Sequence, residues 1–183
     1  MNRPTCTIEY NKKDVSSDAL KKFYKNLDKH YTTVGIHRAE GKEVIGKDNF
    51  TLIKNACIQE FGNTWTVPRD IRFKSPYTGE WFTFKQGWEI TIPPRVFIRI
   101  FTDKRLQKEL TKELKEILNQ NKFKDPMVVY KKIGDYARLT MKSRFLTKNE
   151  WEKNSKTTIR YKGSNDPLYI TGRLASSIKS EVH

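Results

Sequence analysis

The chain has 183 residues, with 36 lysines and arginines against 21 aspartates and glutamates, for a formal net charge of +15. That length suits one domain whose core needs no staples, and no apolar stretch approaches the roughly twenty residues of a membrane-spanning helix. The basic excess favours an acidic partner surface or nucleic acid, although the cations are scattered rather than gathered into the dense tract of a DNA-binding arm.

The first element expected is a helix over 17–30. Leu20, Phe23, Tyr24, Leu27 and Tyr31 follow helical spacing, and Ser16, Ser17 and Asp18 offer N-caps. The β-branched run 31–36 reads as a strand, and the charged, glycine-containing stretch 38–47 as a loop. A second helix is expected from Asp48 to Gly62, with Leu52, Ile53, Ala56, Cys57 and Glu60/Phe61 on the helical period and Gly62 as a left-handed stop. The stretch 64–67 looks extended and ends at Pro68.

Segment 69–87 predicts an aromatic β-hairpin: Ile71 and Phe73 alternate, Ser75-Pro76-Tyr77-Thr78-Gly79 turns, and 81–84 returns. The strand 88–92 stops at Pro93-Pro94. Its simplest partner is 65–67, with the hairpin projecting between them as a partner surface or folding back as a cover for the core. A third helix over 102–119 carries a stripe of Leu106, Leu110, Leu114, Ile117 and Leu118. Asp125-Pro126 opens a fourth, whose buried side is marked by Tyr130, Ile133, Gly134, Ala137, Met141 and Phe145; Gly134 and Ala137 allow close helix approach. The polar stretch 147–161 reads as a loop. At the end, Gly163 and Pro167 interrupt regular structure, Thr171 is placed to cap a short turn, Leu174 and Ile178 fall on its core side, and 177–182 alternates as a strand. The fold class expected is α+β, a small antiparallel sheet packed by about four helices with a projecting β-hairpin.

Chemistry is sparse. His30, His37 and His183 have no metal-ligand spacing with one another or with a cysteine, and no cofactor is expected. Cys6 and Cys57 lie far apart with no CxxC, which predicts free thiols in a reducing cytoplasm; Cys57 reads as a small core residue. The opening residues lack the apolar run of a signal peptide. The Gly-x-x-x-x-Gly at Gly41–Gly46 lacks the Lys-Ser/Thr of a phosphate-binding loop. Aromatic and basic residues interleave in Arg72-Phe73-Lys74 and in 81–85, a pattern suited to stacking bases. A basic single-stranded nucleic-acid-binding module is therefore the alternative function. A Cys57–His37 hydrolase is the weakest reading.

An ordered set of segments remains: Val34-Gly35-Ile36-His37; Asn49 through Ala56 to Glu60-Phe61-Gly62; Ile92-Pro93-Pro94-Arg95-Val96-Phe97; Ile133-Gly134; Lys162-Gly163-Ser164; Pro167-Leu168; Thr171-Gly172-Arg173-Leu174; Ser177-Ile178. This succession resembles the tail-completion or virion-morphogenesis proteins of tailed bacteriophages. The likeness covers about 34–182. It departs at Val96, where a second proline is common, and in the long insertion 69–87. The length suits a single domain over 1–183 with 69–87 as an inserted hairpin arm, and the resemblance implies a non-enzymatic, structural virion protein of the head–tail joint, made in the host cytoplasm. Copies would assemble into a ring, usually of six, between the head connector or adaptor and the tail-tube or tail-terminator proteins. The basic surface would also allow contact with the phosphates of DNA passing through the lumen, without sequence preference, and no membrane is expected. The signature residues it implies are Glu60, Phe61, Gly62, Pro93, Pro94, Arg95, Phe97, Pro167, Leu168, Thr171, Gly172, Leu174, Ser177 and Ile178, with Phe61, Phe97, Leu168, Leu174 and Ile178 as core. Arg72, Phe73, Trp81 and Phe84 in the hairpin, with Arg95 and Arg99 at the Pro-Pro exit, are the candidate interface.

Overall fold

The computed structural model of the chain describes residues 16–46, 49–146, 151–168 and 170–183. In chain order these form α1 (Ser17–Leu27), β1 (Thr32–Ile36), α2 (Arg38–Gly41), α3 (Leu52–Phe61), β2 (Asn63–Thr66), β3 (Ile71–Lys74), β4 (Trp81–Phe84), β5 (Glu89–Ile92), α4 (Lys104–Asn121), α5 (Pro126–Ser143), α6 (Lys156–Lys162), α7 (Arg173–Ser176) and β6 (Ile178–Val182). The fold is α+β. Its strands pair as three two-stranded sheets, β1 with β6, β2 with β5 and β3 with β4. The described residues divide into two compact units, one drawn from 16–34, 101–139 and 180–183, the other from 35–46, 49–100, 140–146, 151–168 and 170–179.

In the first unit, α1 starts where the Ser16 hydroxyl accepts a hydrogen bond from Ala19 N at 3.2 Å. Leu20 and Phe23 turn inward and pack with Ile117, Leu118, Phe123 and Val129. Burying a side chain of Phe23's size contributes about 1.5–3 kcal/mol. Tyr24, expected on that face, is exposed. The helix ends at Leu27, short of His30, whose Nδ1 instead lies 3.3 Å from the carbonyl oxygen of His183. Tyr31 and His183 exchange both backbone hydrogen bonds, at 3.1 and 2.9 Å, and their rings stack. Gly134 does permit a close approach, but of strand residues rather than a helix. A Cβ there would stand 2.7 Å from Thr32 Oγ1 and 3.3 Å from Ser180 Cβ. Helix α4 begins at an Asp103 cap, two residues later than expected, after a 3₁₀ turn over Arg99–Thr102. Asp125 caps α5, its Oδ1 accepting from Met127 N at 2.9 Å.

In the second unit, Thr51 rather than Asp48, which lies outside the described residues, caps α3. The charged stretch after β1 is not wholly loop, since Arg38–Gly41 closes one helical turn. β2 and β5 pair antiparallel, Trp65 opposite Ile90, and the hairpin pairs Phe73 with Phe82, both as expected. Other expectations fail here. The stretch 147–161 contains a helix: Ser155 caps α6 by accepting from Thr158 N at 3.1 Å, and Ile159 and Tyr161 give it partly buried positions. Its polar composition hid a one-sided helix of only two turns. At the last turn Gly172, not Thr171, holds the N-cap position, with φ 72°; the Thr171 hydroxyl still accepts from Arg173 N at 3.4 Å. Ile178 is buried as the first residue of β6 rather than as part of that turn.

Candidate functional site

A buried carboxylate organises the exit from the two prolines. Glu60 sits four residues after Ala56 on the inward stripe of α3 and is 2% exposed. Its Oε2 accepts from Phe97 N at 2.8 Å and Ile98 N at 2.9 Å; its Oε1 accepts from Arg99 N at 3.1 Å and Arg99 Nε at 3.0 Å. These amides lead into the 3₁₀ turn, where early N–H groups have no partner within the turn. Burial raises the carboxyl pKa, but the bonds from Ile98, Phe97 and Arg99 outweigh it, and the net shift is downward. Phe97 below this turn is fully buried and meets Phe145 edge-on at 5.1 Å.

The neighbouring signature residues take different stations from those expected. Phe61 is not core. It is 61% exposed, with the Arg99 guanidinium 4.3 Å over its ring. Cys57 is likewise exposed rather than on the buried stripe; the helix turns Ala56 and Glu60 inward instead, and Cys6 lies outside the described residues. Gly62 has φ 76° and ψ 168°, so it leaves the helix extended instead of entering the left-handed helical stop. A Cβ there would meet Ile92 O at 2.9 Å and Pro94 N at 3.0 Å. That backbone region is essentially restricted to glycine, at a cost of about 1–3 kcal/mol for other residues. Gly62→Ala is therefore expected to lower stability by at least that amount, read as a fall in the urea midpoint with an unchanged slope.

Arg95 is an inward residue rather than an interface one, at 5% exposure. Its amide donates to Gln59 O at 2.7 Å. Its Nη1 donates to Gln59 Oε1 at 3.1 Å, and its Nη2 to Asn154 Oδ1 at 3.3 Å and Glu152 O at 3.5 Å. Pro93 and Arg95 line a cleft of about 390 Å³ together with Leu168, Thr171, Gly172 and Leu174. Three segments distant in sequence thus meet within one unit. Pro167, Leu174, Ser177 and Ile178 are buried; Leu168, with φ 60°, is half-buried; Pro94 and Thr171 are exposed.

The hairpin does not stand free. Phe82 is buried, and Phe73 stacks on it at 5.7 Å while meeting Phe84 edge-on at 5.2 Å. Phe73, Tyr77 and Phe82 all pack edge-on against Tyr161 of α6, and Ser75 Oγ donates to Tyr161 O at 2.6 Å. Arg160 bridges to Glu80 at 2.8 Å. Of the expected hairpin contacts, Phe73 and Phe84 are half-buried within this cluster. Arg72 and Trp81 face outward, the guanidinium 4.8 Å over a ring that is 58% exposed.

Sequence reasoning missed Gln59, Asn154 and Tyr161. The visible signal for Glu60 was a carboxylate on an apolar period; for Tyr161 there was none beyond its aromatic character. Among the described residues, no trio of His, Cys, Asp or Glu gathers as metal ligands, and no helix is long and apolar enough to cross a membrane. Compared with protein-family models, curated proteins and solved structures, the chain has no significant match in any of the three.

Proposed function

We propose that this protein is a structural virion component of a bacteriophage head–tail joint, acting through shape and docking as copies closed into a ring. The observation that carries the reading is the convergence of the Glu60-Phe61-Gly62, Pro93–Phe97 and Pro167–Ile178 segments, which the resemblance singles out, on one unit. Glu60 accepts from the Phe97 amide, Gly62 abuts Pro94, and Arg95, Leu168 and Leu174 line one cleft. The buried members of these segments, such as Glu60, Phe97, Leu174 and Ile178, serve the subunit's own fold, whereas Phe61, Pro94 and Thr171 are exposed. The ring contacts we assign are the outward pair Arg72 and Trp81 and half-exposed Arg99. Head-to-tail contacts of this kind close by rotation, and the net charge of +15 steers the subunit toward acidic neighbours.

The test is sedimentation of the purified chain. The wild type is expected to form a closed ring at assembly concentrations. Trp81→Ser is expected to shift it to monomer without changing the melting transition, because that ring is exposed. A wild type that stays monomeric at every concentration, or a Trp81→Ser ring that is unaltered, counts against the reading.

The second reading, a basic single-stranded nucleic-acid-binding module, draws on the exposed Trp81 with Arg72 beside it. It requires binding that weakens steeply with salt. A response flat across moderate salt removes it.

A further inference from the structure

The cleft beside the two prolines holds more positive charge than its surroundings neutralise. Among the described residues Arg95, Lys153, Lys162 and Arg173 line it with the Glu152 carboxylate, and the Asp166 charge acts on Lys162 from beside it. Arg173 is engaged elsewhere, 3.6 Å from Glu43. Arg95 is nine-tenths and more buried, yet its acceptors are an amide oxygen of Gln59, an amide oxygen of Asn154 and a backbone carbonyl, all neutral. Among the described residues its buried Nε–H has no acceptor, and neither has Asn154 Nδ2. Lys162 donates to the backbone carbonyl of Asp166. A buried cation whose hydrogen-bond acceptors are all neutral keeps much of its desolvation cost. The half-buried Lys162 ammonium beside Arg95 raises it further.

The geometry points to an oxyanion-binding site in this cleft, taking a phosphate or carboxylate group between Arg95, Lys162 and the Asn154 amide. The electrostatics agree: burial lowers the Lys162 pKa first and the Arg95 charge lowers it further, against the opposing pull of Asp166. Burial likewise lowers Arg95, opposed by Glu152. An anion in the cleft relieves both. Donors of three kinds, a guanidinium, an ammonium and an amide, suit a group with several oxygens. The site does not depend on the head–tail reading and stands whether or not the chain assembles.

The experiment follows the Arg95 Nε–H and Asn154 side-chain amide resonances of the full chain during separate titrations with inorganic phosphate and with acetate, at constant ionic strength in chloride. Saturable shifts of both resonances with at least one of the two anions are expected. Lys162→Gln is expected to weaken that affinity about tenfold, whereas Lys112→Gln, an exposed lysine on α4, leaves it unchanged. Saturation by phosphate alone identifies a phosphate site, by acetate alone a carboxylate site, and by both a general oxyanion site. Linear, unsaturated shifts with both anions, or equal weakening in Lys162→Gln and Lys112→Gln, would overturn the proposal, because a basic surface attracts any anion diffusely.

Discussion

Glu60→Ala is expected to cost about 3–5 kcal/mol, the range for removing one partner of a buried charged network. Four donors lose their acceptor together: the amides of Phe97, Ile98 and Arg99, and Arg99 Nε. That is a large share of the roughly 5–15 kcal/mol by which domains are stable. Urea unfolding at neutral pH reads it directly. Glu60→Gln keeps one acceptor oxygen and loses less. The pH dependence has a definite sign. The folded-state pKa of Glu60 is depressed, so the contribution is fully present above the unfolded carboxylate pKa and is lost as pH falls through the lower folded value. In Glu60→Gln this component of the acid limb disappears. An acid limb identical in both proteins would mean that the four donors do not hold a carboxylate.

Phe97→Ala is expected to cost about 3–5 kcal/mol, as truncation of a fully buried phenylalanine does. The ring has no solvent exposure and meets Phe145 edge-on. Phe61→Ala provides the contrast. That ring is 61% exposed and its main partner is the Arg99 guanidinium, an interaction worth about 0.5–1 kcal/mol at the surface. Both residues belong to the signature segments, and only their burial separates them. A larger loss for Phe61→Ala than for Phe97→Ala would reverse their assigned stations.

The elements with strong period or turn chemistry were legible in the sequence. Leu20 and Phe23, Asp125-Pro126 and the 71–84 hairpin each follow from side-chain spacing or from residues with one conformational use. The stripe of α3 was legible only to within one residue. Glu60 and Phe61 stand side by side, and hydrophobicity alone puts the phenylalanine inside. The structure puts the carboxylate inside because three consecutive amides after Val96 need an acceptor, a demand created 37 residues away. Helix α6 escaped because a two-turn helix held by a Ser155 cap and one aromatic residue has little amphipathic signal of its own. The cleft was legible only as separate segments, Lys162 and Arg95 among them. Asn154 gains meaning only when the fold sets it beside Arg95.

Electron microscopy of phage particles made without this chain tests the joint itself. Filled heads and separate tails, joined again when the chain is supplied, are the predicted result. Particles that lack it and still carry fully attached tails would contradict a place in the neck.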